Sequence, residues 1–189
     1  MTSLLAAIVV SSCSVGVPPD GQGVGAGSVQ THEASQNEAG LVMPASVEGP
    51  FLVDRVIDGD TVRVLIEGDS VRVRLIGVDA PETNHPQLPV QCFGYEATEH
   101  ARRLVDGARV YLEYDPSQGR QDRFGRELAF LWFGSNRLLN YELIRDGFAF
   151  EYTYGDAYHY QTLFKQAQRA ADSGDRGLWH ASTCGGVVE

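Results

Sequence analysis

The chain has 189 residues, enough for one domain with a hydrophobic core, and its apolar and charged fractions, 43% and 21%, are those of a globular protein. Its net charge of −10 argues against a protein that coats nucleic acid nonspecifically through excess positive charge. All 15 basic residues follow residue 50, however, and all but Lys165 are arginines. Arginine is the better bidentate clamp for phosphate, so a local phosphate site remains compatible with this composition.

The first 13 residues predict export. Leu4–Val10 is a short apolar run, too short to span a bilayer, and small residues then precede Cys13. This pattern resembles a bacterial lipoprotein signal, with cleavage before Cys13 and lipid on its sulfur, although the usual basic residues are missing from its start. The alternative is an ordinary secretory signal with a chance cysteine. Either signal predicts an extracytoplasmic protein, anchored to a membrane or secreted.

Residues 14–48 predict a disordered linker. They are rich in Gly, Ser, Gln and Ala, contain Pro18-Pro19 and have almost no aromatic residues. Such a segment cannot bury enough apolar surface to order itself. It would tether the N-terminus to a folded domain over residues 49–189.

Alternating apolar residues predict three β-strands after the linker. They are expected at residues 51–57, 61–66 and 71–78, with a turn at 67–70. Asp58-Gly59 has the residue types of a hairpin turn. Pro81 ends the third strand, because proline cannot continue a sheet ladder, and an irregular loop follows up to Gln91.

Two more strands and three helices are expected in the second half. The spacing of apolar residues predicts helices at 93–106, 138–146 and 158–173, and strands at 109–114 and 126–133. Asn136 has a suitable side chain to cap the second helix, and Leu178 and Trp179 are candidate apolar anchors for the C-terminus. Five consecutive strands with one inserted helix and others appended fit an α+β fold, a five-stranded Greek-key barrel of the OB type with three helices.

Carboxylates at the ends of these strands predict a metal site. If the second and third strands are neighbours, Asp60, Asp79 and Glu82 converge at one end of the sheet. Three carboxylates repel one another unless a positive charge lies among them. Hard oxygen ligands of this kind suit Ca²⁺ or Mg²⁺.

Two arginines are expected beside this acidic group. Arg74 lies five residues before Asp79, and Arg126 follows the turn Asp122-Arg123-Phe124-Gly125. Guanidinium groups beside an acidic metal site can bind a phosphate and neutralise charge as it develops. The pattern therefore points to chemistry on a phosphate ester.

In order and spacing, these motifs resemble those of the thermonuclease (staphylococcal-nuclease-like) family. The resemblance is carried by Asp58-Gly59-Asp60-Thr61, by Arg74 with Val78-Asp79-Ala80-Pro81-Glu82, and by Asp122-Arg123-Phe124-Gly125-Arg126. It extends from about residue 53 to residue 179. It implies the same barrel and a Ca²⁺-dependent nuclease that hydrolyses phosphodiester bonds of DNA and RNA with low sequence specificity and leaves 3′-phosphates.

The resemblance also implies roles for the matched residues. Asp60 and Asp79 would be Ca²⁺ ligands, together with the backbone carbonyl of Ala80, and Glu82 would orient or deprotonate the attacking water. The scissile phosphate would be held by two guanidinium groups, those of Arg74 and Arg126. Contacts with the terminal phosphate, the nucleotide and its base or sugar would come from Arg123, Phe124, Tyr152 and Tyr154.

Two positions depart from the family's pattern. Ala80 stands where the best-known member has Thr, so a possible hydroxyl contact is lost while the carbonyl remains. Phe124 stands where Tyr is usual and also lacks a hydroxyl. Both departures predict altered substrate affinity rather than inactivity.

The three cysteines can be assigned together. If Cys13 carries lipid, Cys92 and Cys184 form an even pair in an oxidising compartment and are expected to form a disulfide bond. The bond would tie the start of the first helix to the C-terminal tail. Metal binding by two cysteines without further ligands is the weaker alternative.

The expected partners are single-stranded DNA and RNA, because aromatic stacking tolerates any base, and a membrane through the N-terminal lipid. The chain is expected to act as a monomer. The alternative function is a non-catalytic OB-type lipoprotein that binds nucleic acid or a protein at the cell envelope. The carboxylates argue against it, because a module that only binds has no need of them where phosphate lies. A purely structural lipoprotein has no positive feature in the sequence.

Overall fold

The structure is a computed structural model, and it describes residues 39–83, 87 and 89–188. The predicted signal segment with Cys13, and the predicted linker up to residue 38, lie outside the described residues. The remainder of that linker differs from the expectation, because Leu41 is buried in the hydrophobic core and Met43 and Val47 pack against it. The folded domain therefore includes residues before position 49.

Eight strands and three helices make up the described domain. The strands are β1 (Glu48–Val56), β2 (Thr61–Ile66), β3 (Asp69–Leu75), β4 (Val78–Asp79), β5 (Arg109–Glu113), β6 (Glu127–Phe133), β7 (Arg137–Leu138) and β8 (Phe150–Glu151). The helices are α1 (Gly94–Val105), α2 (Leu139–Arg145) and α3 (Gln161–Ser173), and a 3₁₀-helix (Gly177–Trp179) follows them. Within the described residues, no helix combines the length and apolar composition needed to cross a bilayer.

Five of these strands close into a barrel, which confirms the predicted α+β fold of the OB type. The hydrogen-bonded order is β3-β2-β1-β5-β6, and the parallel pairing of β3 with β6 closes the ring. All other pairs in the barrel are antiparallel. Inward side chains of the strands meet those of the helices in one core, which includes Val64, Trp132, Leu143 and Phe164, each with 0% of its surface exposed.

The predicted third strand is interrupted at Gly77. β3 ends at Leu75, and β4 resumes at Val78. Gly77 has φ +75°, and a Cβ atom there would lie 2.5 Å from the ring of Tyr158. A side chain at this bend would therefore meet both backbone strain and the buried tyrosine. The run of apolar residues through this region hides the bend from sequence patterns.

The predicted capping role of Asn136 is wrong. This residue lies in the turn between β6 and β7 with φ +59°, and its Oδ1 accepts a hydrogen bond of 2.9 Å from the backbone N–H of Met43. The residue before α2 is Leu138, which provides no side-chain cap. Asn136 tolerates the left-handed conformation that this turn requires, so the same residue type fits a second role.

A buried amide holds the bend against the barrel. Asn140, on α2, has none of its surface exposed. Its Oδ1 accepts a hydrogen bond of 2.9 Å from the Leu131 N–H, and its Nδ2 donates one of 2.9 Å to the Ile76 carbonyl. Since buried backbone groups need partners, this side chain fixes the position of residues 76–78 relative to β6.

The structure joins Cys92 and Cys184 in a disulfide bond, as the sequence predicts. The bond spans 92 positions along the chain and connects the segment just before α1 to the C-terminal tail. In the chain-entropy account, closing a loop of this length stabilises the folded state by about 4–5 kcal/mol. Both predicted C-terminal anchors pack against the domain. Leu178 is fully buried, and Trp179 packs edge-on against Phe150 with 5.1 Å between ring centroids.

Asp146 joins two helices through charge. It lies directly after α2 and contacts His100 on α1 at 3.2 Å, and Arg145 Nε donates to it at 2.7 Å. Partial burial would raise the pKa of this carboxyl, but the hydrogen bonds from His100 and Arg145 outweigh that effect and lower its pKa to about 2. The ionised carboxylate therefore stabilises the fold at neutral pH.

Replacing Asp146 with Asn should destabilise the protein at neutral pH by roughly 1–2 kcal/mol, allowing for solvent screening. Because the folded-state pKa lies below the unfolded value near 4, this stabilisation is complete above about pH 5 and is lost as pH falls towards 2. Urea unfolding of both proteins between these pH values measures the difference. Glu99→Gln, which removes one charge from an exposed ion pair on α1, is the control and should change little. If the loss of stability caused by D146N did not become smaller as pH falls, the proposed role of the ionised Asp146 carboxylate would be contradicted.

Candidate active site

Asp58, Asp60, Asp79 and Glu82 form what we call the acidic cluster. Asp60 makes hydrogen bonds to two different segments of it. Its Oδ1 accepts a hydrogen bond of 2.9 Å from the Thr61 hydroxyl, and its Oδ2 accepts one of 3.1 Å from the Ala80 N–H. Its own N–H donates to Asp58 Oδ1 at 3.1 Å. The carboxylate therefore links the turn between β1 and β2 to the end of β4.

Gly59 allows these two segments to approach. A Cβ atom on Gly59 would lie 2.5 Å from the Cβ of Ala80 and 3.1 Å from that of Ala97 on α1. The first distance is shorter than any normal contact, so any other residue here would push Asp60 away from Ala80. The glycine that the sequence suggests for turn chemistry therefore serves close packing.

Arg74 lies between two of the predicted carboxylates. Its Nη2 is 3.2 Å from Asp60 Oδ2 and 3.2 Å from Asp79 Oδ1. Its Nη1 donates to the carbonyl of Leu75 at 3.0 Å and to that of Val78. The bend at Gly77 makes this possible, because it turns the end of β4 back towards the guanidinium group.

The cluster carries more negative charge than Arg74 balances. Burial, and then the charge of Asp60, raise the pKa of Asp58 to about 7. Burial and the charges of Asp60 and Glu82 raise the pKa of Asp79, while Arg74 opposes them. Carboxylates that raise one another's pKa values mark a place where a cation would be stabilised.

Glu82 belongs to the same group. Its charge contributes to the raised pKa values of both Asp58 and Asp79. Its backbone is held by Gln91, whose Oε1 accepts the Glu82 N–H at 2.7 Å and whose N–H donates to the Glu82 carbonyl at 2.9 Å. Gly94 lies close to the Glu82 backbone. A Cβ atom on residue 94 would be only 2.9 Å from the Glu82 carbonyl oxygen. Part of the connecting loop, residues 84–86 and 88, lies outside the described residues.

Arg126 is oriented by the turn before β6. Asp122 accepts a hydrogen bond of 2.7 Å from Arg126 Nε, and its other oxygen accepts the N–H groups of Phe124 and Arg126 at 2.9 and 3.0 Å. Partial burial would raise the pKa of Asp122, but these hydrogen bonds lower it below its ordinary value. The carboxylate thus holds the turn and the guanidinium group in one arrangement.

A pocket of about 550 Å³ brings the arginines and the aromatic residues together. Its walls include all six predicted phosphate- and nucleotide-contacting residues: Arg74, Arg123, Phe124, Arg126, Tyr152 and Tyr154. Phe124, Tyr152 and Tyr154 are 57%, 46% and 75% exposed, and the two tyrosine rings lie 6.4 Å apart. Arg123 lies over the Phe124 ring at 4.7 Å. Of these residues, Arg74 also contacts the acidic cluster, so it connects the two halves of the site.

The sequence-based prediction gives no role in the site to three supporting residues. Asp58 could have been found, since it alternates with Asp60 in the turn. Asp122 could have been found too, because Asp three residues before Gly is typical of a turn in which the carboxylate accepts backbone N–H groups. Gln91 has no local signal, because its contact with Glu82 depends on the path of the intervening loop.

The cluster fits a hard divalent cation. Among the described residues, no group of three or more His, Cys, Asp or Glu side chains has the arrangement of a metal site. The predicted ligand set is smaller, two carboxylates and the carbonyl of Ala80. Asp60 and Asp79 meet at one guanidinium group, and the pKa of Asp79 is raised by burial and by the charges of Asp60 and Glu82. Oxygen donors of this kind suit Ca²⁺.

Comparison with known proteins agrees with this geometry. The family model described as staphylococcal nuclease homologue matches residues 72–181. The chain is 40% identical over 132 residues to a thermonuclease of Staphylococcus hyicus, covering 70% of this chain and 76% of that protein. It is 40% identical over 129 residues to a thermonuclease of Staphylococcus intermedius, covering 68% and 75%. It is 32% identical over 170 residues to the endonuclease YncB of Bacillus subtilis, covering 86% and 80%.

The matched region contains Arg74, the acidic residues at 79 and 82, and the turn that orients Arg126. It also includes the tyrosines of the pocket. Similarity of this extent, together with the closed barrel, means that the chain belongs to the staphylococcal-nuclease-like family.

Proposed function

We propose that this protein is an exported, lipid-anchored nuclease that uses Ca²⁺ to hydrolyse phosphodiester bonds of DNA and RNA, with a preference for single strands, and leaves 3′-phosphates. That it is a hydrolytic nuclease follows from its family, whose members are generally metal-dependent. The observation that carries the finer proposal is the double contact of Arg74, which meets the acidic cluster on one side and the pocket on the other.

The metal proposal is supported by the charge of the cluster. Asp60, Asp79 and the carbonyl of Ala80 are the groups that would hold Ca²⁺. Bound there, the ion would polarise a phosphoryl oxygen and make a bound water more acidic. Residue 80 is alanine, so it offers the ion its backbone carbonyl but no side-chain hydroxyl.

The chain's own side chains supply the remaining chemistry. Arg74 and Arg126 bind the scissile phosphate and stabilise the extra negative charge that develops on its oxygens. Glu82 orients the attacking water and accepts its proton. Asp122 keeps Arg126 directed at the phosphate, and Gln91 keeps Glu82 in place.

The substrate preference is supported by exposed aromatic residues. Phe124, Tyr152 and Tyr154 line the pocket with exposed side chains. Stacking accepts any base, and it requires the base to be free of its own neighbours. Single-stranded DNA or RNA meets that condition more easily than a duplex. Arg123, whose guanidinium lies over the Phe124 ring, would contact a terminal phosphate.

Export is supported by the disulfide bond and by the N-terminal sequence. Disulfide bonds persist in oxidising compartments outside the cytoplasm. With Cys92 and Cys184 paired, Cys13 is left as the third cysteine, at the end of the predicted signal segment. We infer a monomer anchored through lipid on Cys13.

The nuclease prediction is tested by cleavage of single-stranded DNA with Ca²⁺ and with a chelator. We expect cleavage with Ca²⁺, none with the chelator, and a loss of about a hundredfold or more in kcat for Glu82→Gln. Glu96→Gln, an exposed carboxylate on α1, is the control and should keep full activity. No cleavage in any condition, with binding retained in the chelator, would instead favour the non-catalytic OB-type binding module.

A second prediction concerns the turn that orients Arg126. Asp122→Asn places an N–H donor, or a weaker acceptor, where the guanidinium needs a carboxylate, so kcat should fall about tenfold to a hundredfold with a smaller change in KM. Asp115→Asn is the matched control, since Asp115 also accepts backbone N–H groups at the start of the same loop but contacts no arginine among the described residues. Equal losses in the two variants would show that the turn, and not the pairing with Arg126, matters.

The anchor is tested by metabolic labelling with palmitate in a bacterial host. The full chain should incorporate label and sediment with membranes, whereas Cys13→Ser should do neither. Cys92→Ser is the control, because it removes a cysteine but leaves the signal segment intact. Unlabelled, soluble protein from the unmodified chain would favour the ordinary secretory signal.

A further inference from the structure

Three arginines stand side by side on the outer surface of the barrel. Arg55 on β1 pairs with Arg63 on β2, and Arg63 pairs with Arg72 on β3. The residues next to them in each strand, Val56, Val62 and Val73, pair in the same way and are buried. Because side chains alternate across a strand, the arginines all point outward. We call Arg55, Arg63 and Arg72 the arginine row.

Stability does not explain the arginine row. Like charges directly opposite one another on neighbouring strands are destabilising. The Arg55 side chain is exposed and makes no hydrogen bond or ion pair with any residue that the structure describes. Arg63 donates to the Ser70 carbonyl at 2.9 Å, but its Nε is buried without a hydrogen-bond partner among those residues. Three like charges held side by side in a chain of net charge −10 form a place where an anionic ligand would be neutralised.

The arginine row is continuous with the active-site pocket. Arg72 lies two residues before Arg74 on the same face of β3, so the row begins about 7 Å from the residue proposed to hold the scissile phosphate. Arg72 Nη2 also donates to the carbonyl of Phe124, at the pocket wall, at 3.0 Å. From there the row extends over two strand spacings, about 10 Å in all.

We propose that the arginine row binds backbone phosphates of the substrate strand outside the pocket. The inference rests on the proposed nuclease function and adds to it a preference for long substrates. Guanidinium groups bind phosphate in a bidentate manner, and a line of them follows a flexible single strand without reading its sequence. Asp54 is the carboxylate beside the row, where it accepts the Ser70 hydroxyl at 2.6 Å, and it should weaken the attraction.

The test is binding of fluorescently labelled oligothymidylates to the full chain carrying Glu82→Gln, which slows cleavage about a hundredfold or more so that binding can be measured first. The long oligonucleotide has about 20 nucleotides and the short one has two or three. Both are titrated at several salt concentrations with Ca²⁺ present. The variant is Arg55→Gln with Arg63→Gln. Arg72 is kept, because its contact with Phe124 could move the pocket. The matched control is Arg102→Gln with Arg169→Gln, which removes the same charge from exposed positions on α1 and α3.

For the long oligonucleotide we expect the row variant to bind about tenfold more weakly at low salt and to have a salt dependence of log K lower by roughly 1.4, the value for two phosphate contacts on a single strand. The loss of affinity for the short oligonucleotide should be smaller. The control variant should bind both oligonucleotides as tightly as the parent does, and Asp54→Asn should bind them more tightly. The melting temperature of the row variant should fall only slightly, because the variant loses little more than the hydrogen bonds of Arg63 to Ser70.

Two results would overturn the proposal. One is a row variant that matches the control for the long oligonucleotide. The other is an equal loss for both lengths, which would mean a distorted pocket. The nuclease proposal fails separately: a parent chain with Glu82 intact that binds the long strand through the row but never cleaves it would leave the row standing and remove the catalytic assignment.

Discussion

The bend at Gly77 is the constraint on which the site depends. Because the chain turns there, the end of β4 returns towards β3, and Arg74 and Asp79 face each other although five positions separate them. The ring of Tyr158 lies against the glycine, and Asn140 fixes the neighbouring carbonyl from α2. The helices that complete the core therefore also set the geometry of the charged groups on the barrel surface.

The site combines a rigid half and an open half. Asp60 and Arg74 make several hydrogen bonds each, and Arg74 and Thr61, a partner of Asp60, lie on strands of the barrel. The aromatic side of the pocket is formed by exposed rings on loops. This division suits an enzyme that positions one phosphate closely while it accepts any base beside it. An acidic chain can still act on a polyanion, since Arg74, Arg123 and Arg126 meet at the pocket where the phosphate is proposed to lie.

Much of this architecture could be predicted from the sequence. The second strand has the predicted bounds, because its alternation of apolar and polar residues is regular and its turns contain glycine. The family resemblance named the arginines and aromatic residues that the pocket brings together. The bend at Gly77 escaped prediction, because the residues around it are apolar on both sides. Asn136 was misassigned, because the side chain that caps helices also suits left-handed turns. Gln91 was missed, because its contact depends on tertiary structure alone.

The disulfide bond has a consequence for how the domain responds to proteolysis. Cys92 and Cys184 enclose most of the described domain, including the exposed loop between β5 and β6. Exposed loops are where proteases cut first. A single cut anywhere between the two cysteines releases no fragment, since both pieces stay covalently joined and the barrel strands on either side remain paired. The bond therefore lets the domain survive a nick that would divide an uncrosslinked chain in two.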